Sequence, residues 1–182
     1  MFDSGQVSEY SAVMSAAVEE ETFVRLLEEH AGIVRKVAAG YASSAADRSD
    51  LIQEITLQLW RAYPRYSPGR PFSTWMYRIA LNVAISFLRY HTRPGRQTTP
   101  LGEMEIADES GTSAETTERV EILQQIIAGC RPLDRALLLL YLEDKSYREI
   151  ASILGLTETN VATKLNRLKL QLRQQLTAHA NN

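Results

Sequence analysis

Apolar residues recur at intervals of three and four along most of this chain, which is the spacing of one buried helical face. No segment shows the alternation of apolar and polar residues that a half-buried strand requires. The pattern therefore predicts an all-α protein. The helices are expected over residues 23–37, 47–60, 73–89, 120–127, 133–142, 147–154 and 161–172.

A stretch poor in large apolar residues interrupts this pattern at 92–113. It combines two prolines and three glycines with acidic and hydroxyl side chains, and such a composition cannot bury enough apolar area to offset the entropy of ordering it. We interpret it as a flexible linker between two small helical domains. The expected division is an extension at 1–21, a first domain at 22–91, the linker at 92–113 and a second domain at 114–177.

Local signals predict where the helices of the first domain begin. The segment Gly40–Ala46 should break the first helix, and Asp47 should cap the second, with Asp50 three residues on. Prolines and a glycine predict a loop at 64–71, after which Ser73 should cap the third helix. The buried stripe of that third helix is expected at Trp75, Ile79, Val83 and Phe87.

The charge is distributed in blocks, although the net formal charge is only -2. Residues 61–99 contain seven arginines and no acid, and residues 145–182 contain six basic and two acidic side chains. Each basic block follows an acidic one. Arginines interleaved with Trp, Tyr and Phe are typical of a protein that binds phosphates and stacks on bases, although a solvated face with clustered charges would show the same composition.

Residues 146–169 have the pattern of a helix-turn-helix. Ala151 permits close approach of two helices, Gly155 suits a left-handed turn between them, and Thr157 can cap the second helix. With Val161 and Leu165 buried, the opposite face points outward. On that face Thr163, Asn166 and Arg167 are candidates to contact base edges, and Lys145, Arg148, Lys164 and Lys169 are candidates to bind phosphates. A plain helical hairpin is the alternative.

Both domains resemble the same family. The segments Asp50-Leu-Ile-Gln-Glu-Ile-x-x-x-Leu-Trp60 and Pro71-Phe-Ser-Thr-Trp-Met-Tyr-Arg-Ile-Ala-x-Asn82 resemble region 2 of the extracytoplasmic-function (ECF) sigma factors of bacteria. Leu133–Lys169 resembles their region 4. The resemblance extends over residues 22–175. It implies a protein that binds core RNA polymerase, directs it to promoters through their −35 and −10 elements, and helps to melt the DNA.

The resemblance also implies roles for particular residues. Core polymerase would bind the exposed face formed by Asp50, Gln53, Glu54 and Trp60. The −10 element would be contacted by Arg65, Arg70, Phe72, Arg78 and Asn82, with Trp75 in the core. The −35 element would be contacted by Arg148, Thr163, Lys164, Asn166, Arg167 and Lys169. Many relatives have a basic residue where this chain has Ala162, which cannot donate to a base, so their −35 sequence does not carry over.

Other classes of function receive less support from the sequence. The sequence offers no catalytic site that would support an enzyme. His30, His91 and His179 are isolated, and no nucleophile elbow, phosphate-binding glycine loop or metal-ligand spacing is present. No metal or cofactor is expected. The main alternative is a helix-turn-helix regulator that binds an operator by itself as a dimer. A helical adaptor that binds only proteins is a third reading.

The expected location is the cytoplasm. The one cysteine, Cys130, permits no internal disulfide, and the acidic N-terminus does not resemble a secretory signal. No window approaches the roughly 18 apolar residues of a membrane span. The resemblance adds an anti-sigma protein as an expected partner.

Overall fold

The structure is a computed structural model that describes residues 20–91, 127 and 129–180. Over these ranges the chain is helical except for short turns and loops, which confirms the predicted all-α class. The first helix, α1, occupies residues 20–29. The others are α2 (Ala31–Tyr41), α3 (Ala45–Ala62), α4 (Phe72–His91), α5 (Pro132–Leu142), α6 (Tyr147–Leu154) and α7 (Glu158–Ala180), with a short 3-10 helix at Tyr63–Arg65. The expected linker at 92–113 lies outside the described residues.

Three helix ends differ from those expected. The first apolar stripe is divided between two helices, which meet at His30. Helix α3 is capped by Ser44 and not by Asp47, because the Ser44 hydroxyl oxygen accepts the Asp47 backbone N–H at 3.0 Å. Helix α4 begins at Phe72, so Ser73 lies within its first turn and is not its cap.

Helices α1 to α4 form a first lobe (residues 20–91) around α4. Leu51, Ile55 and Leu59 of α3 are fully buried, and they pack on one side of α4 while α2 packs on another. The expected stripe of α4 is wrong. Its buried residues are Phe72, Met76, Tyr77, Ala80, Leu81 and Ala84, whereas Trp75, Ile79, Val83 and Phe87 are only partly buried. Ala80 and Ala84 are small and fully buried, which permits close packing of the neighbouring helices on this face.

Helices α5 to α7 form a second lobe (residues 129–180). Leu137 and Leu140 of α5, Ile150 of α6, and Val161 and Leu165 of α7 have no exposed surface. The apolar helix expected at 133–142 is confirmed as α5. No helix of the described ranges is long and apolar enough to cross a membrane.

The two lobes are in direct contact. Helix α4 packs against α5 and α6, and α2 packs against α5. Buried residues of both lobes therefore join one continuous hydrophobic cluster.

Candidate nucleic-acid interface

Helix α3 presents an acidic, hydrogen-bonding face to solvent. Asp50, Gln53 and Glu54 are exposed, opposite the buried stripe of the same helix. Trp60 is 43% exposed, and one side of its ring is fixed by an edge contact with Phe23 at 5.1 Å between centroids. The four residues predicted for polymerase binding thus lie on one accessible surface.

Leu57 adds to this surface and was missed at the sequence level. Its side chain is 41% exposed, three residues before Trp60 and four after Gln53. Residues at those spacings share a helix face, so Leu57 lies on the same surface as Gln53 and Trp60. The sequence feature that could have identified it is a large apolar residue outside the buried stripe of α3. The face therefore combines carboxylates with apolar contact area.

An aromatic cluster supports the loop between α3 and α4. Tyr66 and Trp75 lie 5.2 Å apart between ring centroids, and Phe72 lies 5.2 Å from Trp75. The Tyr66 hydroxyl donates to the Arg70 carbonyl at 2.9 Å, which holds the loop against the cluster. A cleft of about 300 Å³ opens here, lined by Arg65, Tyr66, Ser67, Gly69, Arg70 and Trp75.

The predicted residues of this loop differ in accessibility. Arg65 and Arg70 are exposed at the cleft, as DNA contacts require. Phe72 is only 7% exposed, and its ring stacks on that of His30 with 5.6 Å between centroids, so it supports the aromatic cluster from beneath. Its role as a DNA contact stays a prediction, and in this structure the ring is buried. Trp75 is half-buried and lines the cleft, so it is neither fully in the core nor free.

The polar face of α4 lies beside a second cleft. Arg78 and Asn82 are exposed one turn apart, as expected. They share a cleft of about 300 Å³ with Arg70, Thr74, Trp75, Ile79 and Ser152. Ser152 belongs to α6, so the second lobe forms one wall of this cleft.

The helix-turn-helix has the predicted turn at Gly155 and the predicted cap of its second helix at Thr157. Gly155 adopts a left-handed conformation with φ 68° and ψ 34°, and the Leu156 N–H donates to the Ala151 carbonyl at 3.0 Å to close the turn. The Thr157 hydroxyl oxygen accepts the Asn160 N–H at 3.2 Å at the start of α7. These contacts fix the direction in which α7 leaves α6.

A capping box fixes the start of α6. The Ser146 backbone N–H donates to the Glu149 carboxylate at 2.9 Å, and the Glu149 N–H donates back to the Ser146 hydroxyl at 3.3 Å. Hydrogen bonds from Ser146 hold the pKa of the Glu149 carboxyl below its usual value. The first helix of the motif is therefore fixed at both ends.

The outward face of α7 carries the predicted base-contacting residues. Thr163, Asn166 and Arg167 are exposed, while Val161 and Leu165 anchor the helix in the core. The Thr163 hydroxyl donates to the Thr159 carbonyl at 2.9 Å, so its remaining capacity is as an acceptor. Ala162 is half-buried between the two faces.

The basic residues around this face are not equivalent. Arg148 is exposed and Lys164 is half-buried. The Lys169 ammonium lies 3.9 Å from the centroid of the Tyr141 ring, and a hydrogen bond with Tyr141 raises its pKa. Lys169 therefore contacts its own lobe, and it would have to leave Tyr141 to reach a phosphate.

Two histidines, His30 and His91, are packing groups. His30 stacks on Phe72, and His91 stacks on Phe87 at 4.1 Å. Within the part of the chain that the structure describes, no group of three or more His, Cys, Asp or Glu side chains is placed to hold a metal ion. Burial raises the pKa of the Cys130 thiol, so this half-buried thiol is less reactive than a free one.

Two family models match the chain. The model of sigma-70 region 2 matches residues 26–94, and the model of sigma-70 region 4 matches residues 121–172. Among curated proteins, RNA polymerase sigma factor CnrH of Cupriavidus metallidurans is 27% identical over 180 residues, covering 92% of this chain and 93% of CnrH. ECF RNA polymerase sigma factor SigL of Mycobacterium tuberculosis is 28% identical over 178 residues, covering 90% of this chain and 94% of SigL.

Two solved structures share the fold. CnrH in complex with the cytosolic domain of CnrY aligns with a TM-score of 0.66 at 20% identity, over 92% of this chain and 95% of that chain. The sigma factor RpoE from Bartonella quintana, in complex with the anti-sigma factor NepR, aligns with a TM-score of 0.71 at 17% identity, over 86% of this chain and 98% of that chain. At these identities the similarity establishes the helical architecture alone.

Proposed function

Because this chain belongs to the sigma-70 family, in its extracytoplasmic-function group, we propose that its two lobes divide the work of promoter recognition between them. The protein binds core RNA polymerase and directs it to specific promoters. The observation that carries the assignment is the match of two separate sigma-70 regions in one chain. The region 2 match contains the acidic face and all residues that line the two clefts except Ser152, and the region 4 match contains the helix-turn-helix.

Polymerase docking is assigned to α3. Asp50, Gln53 and Glu54 offer carboxylates and an amide to a basic partner, and Trp60 with Leu57 offers apolar area that association would bury. Charge complementarity of this kind steers encounter, while a buried aromatic anchor supplies most of the affinity.

Recognition and melting of the −10 element are assigned to the two clefts of the first lobe. A base taken out of the duplex needs an aromatic or apolar wall and cations for its backbone. Trp75 and Tyr66 supply the walls, and Arg65 and Arg70 lie at the rim. Arg78 and Asn82 continue the surface along α4. Phe72 supports this site from beneath.

Recognition of the −35 element is assigned to α7 in a major groove. Thr163, Asn166 and Arg167 are the base-contacting residues, because they are exposed on the face opposite the core. The phosphate contacts are Arg148, Lys164 and Lys169. Lys169 would exchange its contact with the Tyr141 ring for one with the DNA phosphate backbone.

An anti-sigma protein is the proposed regulator. The Bartonella quintana structure contains an anti-sigma factor bound to a chain of this fold, and almost all of that chain is covered by this one. Since polymerase and promoter DNA are its other partners, the proposed place of action is the cytoplasm.

Run-off transcription with core polymerase tests the assignment. The wild type should give a specific start on a cognate promoter, and little specific binding of duplex DNA without polymerase. A footprint from the protein alone, with no start on any promoter, would favour the dimeric regulator.

Two sets of variants separate the proposed surfaces. Gln53→Ala with Glu54→Lys should weaken binding of core polymerase. Arg78→Ala with Asn82→Ala should leave that binding intact and reduce open-complex formation, measured by permanganate reactivity of thymines. Arg25→Ala, an exposed arginine of α1, is the matched control and should behave as the wild type.

A further inference from the structure

Trp60 is the largest side chain on the face of α3 that is proposed to bind core polymerase. Its indole is 43% exposed, and exposed side chains exchange between rotamers within picoseconds to nanoseconds unless something holds them. Ordering a mobile side chain when a complex forms costs conformational entropy and weakens the complex. The contacts that hold this indole in the free protein therefore bear on docking.

Phe23 of α1 is in direct contact with the indole. The two ring centroids lie 5.1 Å apart with 68° between the ring planes, which is the edge-to-face arrangement that aromatic pairs prefer. Phe23 is only 3% exposed, so almost none of its own surface is accessible to a partner. The contact thus joins a buried ring to an exposed one.

Tyr63 restrains Phe23 from a second direction. The centroids of these two rings lie 4.9 Å apart, with 59° between their planes. Tyr63 in turn lies 6.2 Å from Tyr66 and 6.5 Å from Trp75 between ring centroids. Phe23 therefore contacts one ring at the end of α3 and another in the 3-10 helix, and a ring held in this way restricts the motion of Trp60.

Burial alone does not explain an aromatic residue at this position. The other side chains of α1 that pack against the hydrophobic core are Leu26 and Leu27, both aliphatic and partly buried. A leucine at position 23 would also bury apolar area, but it would present no ring edge to the indole. The need for an apolar residue follows from the core, and the need for a ring follows from Trp60.

We propose that Phe23 is a positioning residue for the docking of core polymerase. Its ring keeps the Trp60 indole in the orientation in which polymerase binds it, so less conformational entropy is lost when the complex forms. The inference rests on the proposed docking role of α3. It adds a buried residue of α1 that acts through Trp60 and makes no contact with polymerase itself.

A double-mutant cycle tests whether Phe23 acts through Trp60. Phe23→Leu should raise the Kd for core polymerase about two- to ten-fold, because the indole must then be ordered on binding. Phe23→Met, which also lacks a ring, should behave in the same way. Trp60→Ala should raise the Kd as well, and adding Phe23→Leu to Trp60→Ala should have no further effect. Leu81→Val trims another buried side chain of the first lobe, so it controls for lost packing and should leave the Kd unchanged.

The fluorescence of Trp60 tests the positioning in the free protein. The chain has two tryptophans, so Trp75→Phe leaves Trp60 as the only indole. In this background, time-resolved anisotropy should show a larger amplitude of nanosecond motion for Phe23→Leu, whereas Leu81→Val should match its parent. Loss of packing alone would lower Tm without changing this amplitude.

The outcomes distinguish the inference from the proposed function. An effect of Phe23→Leu on the Kd that persists in full with Trp60→Ala would overturn the inference, as would an equal effect of Leu81→Val or unchanged motion of the indole. If Trp60→Ala weakens binding and Phe23→Leu does not, the inference fails and the proposed docking face stands. If Trp60→Ala leaves the Kd unchanged, the docking role of Trp60 fails, and the positioning role of Phe23 fails with it.

Discussion

The turn of the helix-turn-helix depends on the backbone of Gly155. Its φ of 68° and ψ of 34° lie in the left-handed region, where an L side chain costs about 1–2 kcal/mol. A Cβ added there would meet no atom within 4 Å, so the cost of Gly155→Ala is conformational and no clash contributes. We expect the free energy of unfolding to fall by about 1–2 kcal/mol, and Tm by about 2–8 °C for a chain of this size. Gly155→Asn should lose less, since Asn tolerates this conformation.

Thermal unfolding followed by circular dichroism at 222 nm measures the change, and Gly32→Ala is the matched control. Gly32 lies inside α2, where an added Cβ also meets nothing within 4 Å. Because its backbone is helical, alanine there should stabilise the protein by about 0.5–1 kcal/mol. A Gly155→Ala protein as stable as the wild type would refute the reasoning, as would equal losses at both glycines.

Three further outcomes are expected. Arg167→Ala should weaken promoter binding by about 1–3 kcal/mol and relax the preference at one base of the −35 element, and unchanged binding in a selection from random sites would remove it from the base-contacting set. Ser146→Ala should lower stability by about 1 kcal/mol at pH 7. The pKa of Glu149 is lowered in the folded state, so its contribution to stability is present above about pH 4.5 and is lost as the pH falls through the folded-state pKa. The difference in Tm between Ser146→Ala and the wild type should therefore shrink at pH 3. An undiminished difference would show that the Glu149 carboxylate does not contribute. Burial, together with the nearby Glu143, raises the pKa of Tyr77, so its contribution to stability is complete below about pH 10 and is lost as the pH rises further. Tyr77→Phe should therefore reduce the decrease in Tm at alkaline pH. Parallel curves of Tm against pH for the variant and the wild type would contradict this.

The second lobe could be predicted from sequence because its signals are local. Gly155 and Thr157 act on backbone groups within four residues of themselves, and the structure has both features where the pattern predicted them. The same reasoning gave the wrong cap for α3. Ser44 and Asp47 can both cap a helix, and in the structure the Ser44 hydroxyl caps it by accepting the Asp47 backbone N–H. Competing caps three residues apart cannot be separated without the backbone geometry.

The contact between the lobes could not be predicted in this way. Lys36 and Glu143 are 107 residues apart, and each is an ordinary charged residue within its own helical segment. Tyr41 and Arg135 are buried, and each donates a hydrogen bond to a backbone carbonyl of the other lobe. Long-range pairing of this kind leaves no periodic signal in either segment.

The error in the stripe of α4 has a physical cause that bears on function. The helix is apolar on two adjacent faces, one formed by Met76, Ala80 and Ala84 and the other by Trp75 and Ile79. A helix that packs on one body needs only one such face. The first face packs in the first lobe, and the second lines the cleft that Ser152 closes. The second apolar face therefore lies beside Arg78 and Asn82, so one cleft combines an apolar wall with hydrogen-bonding groups, which is the combination that the proposed binding of an unstacked base requires.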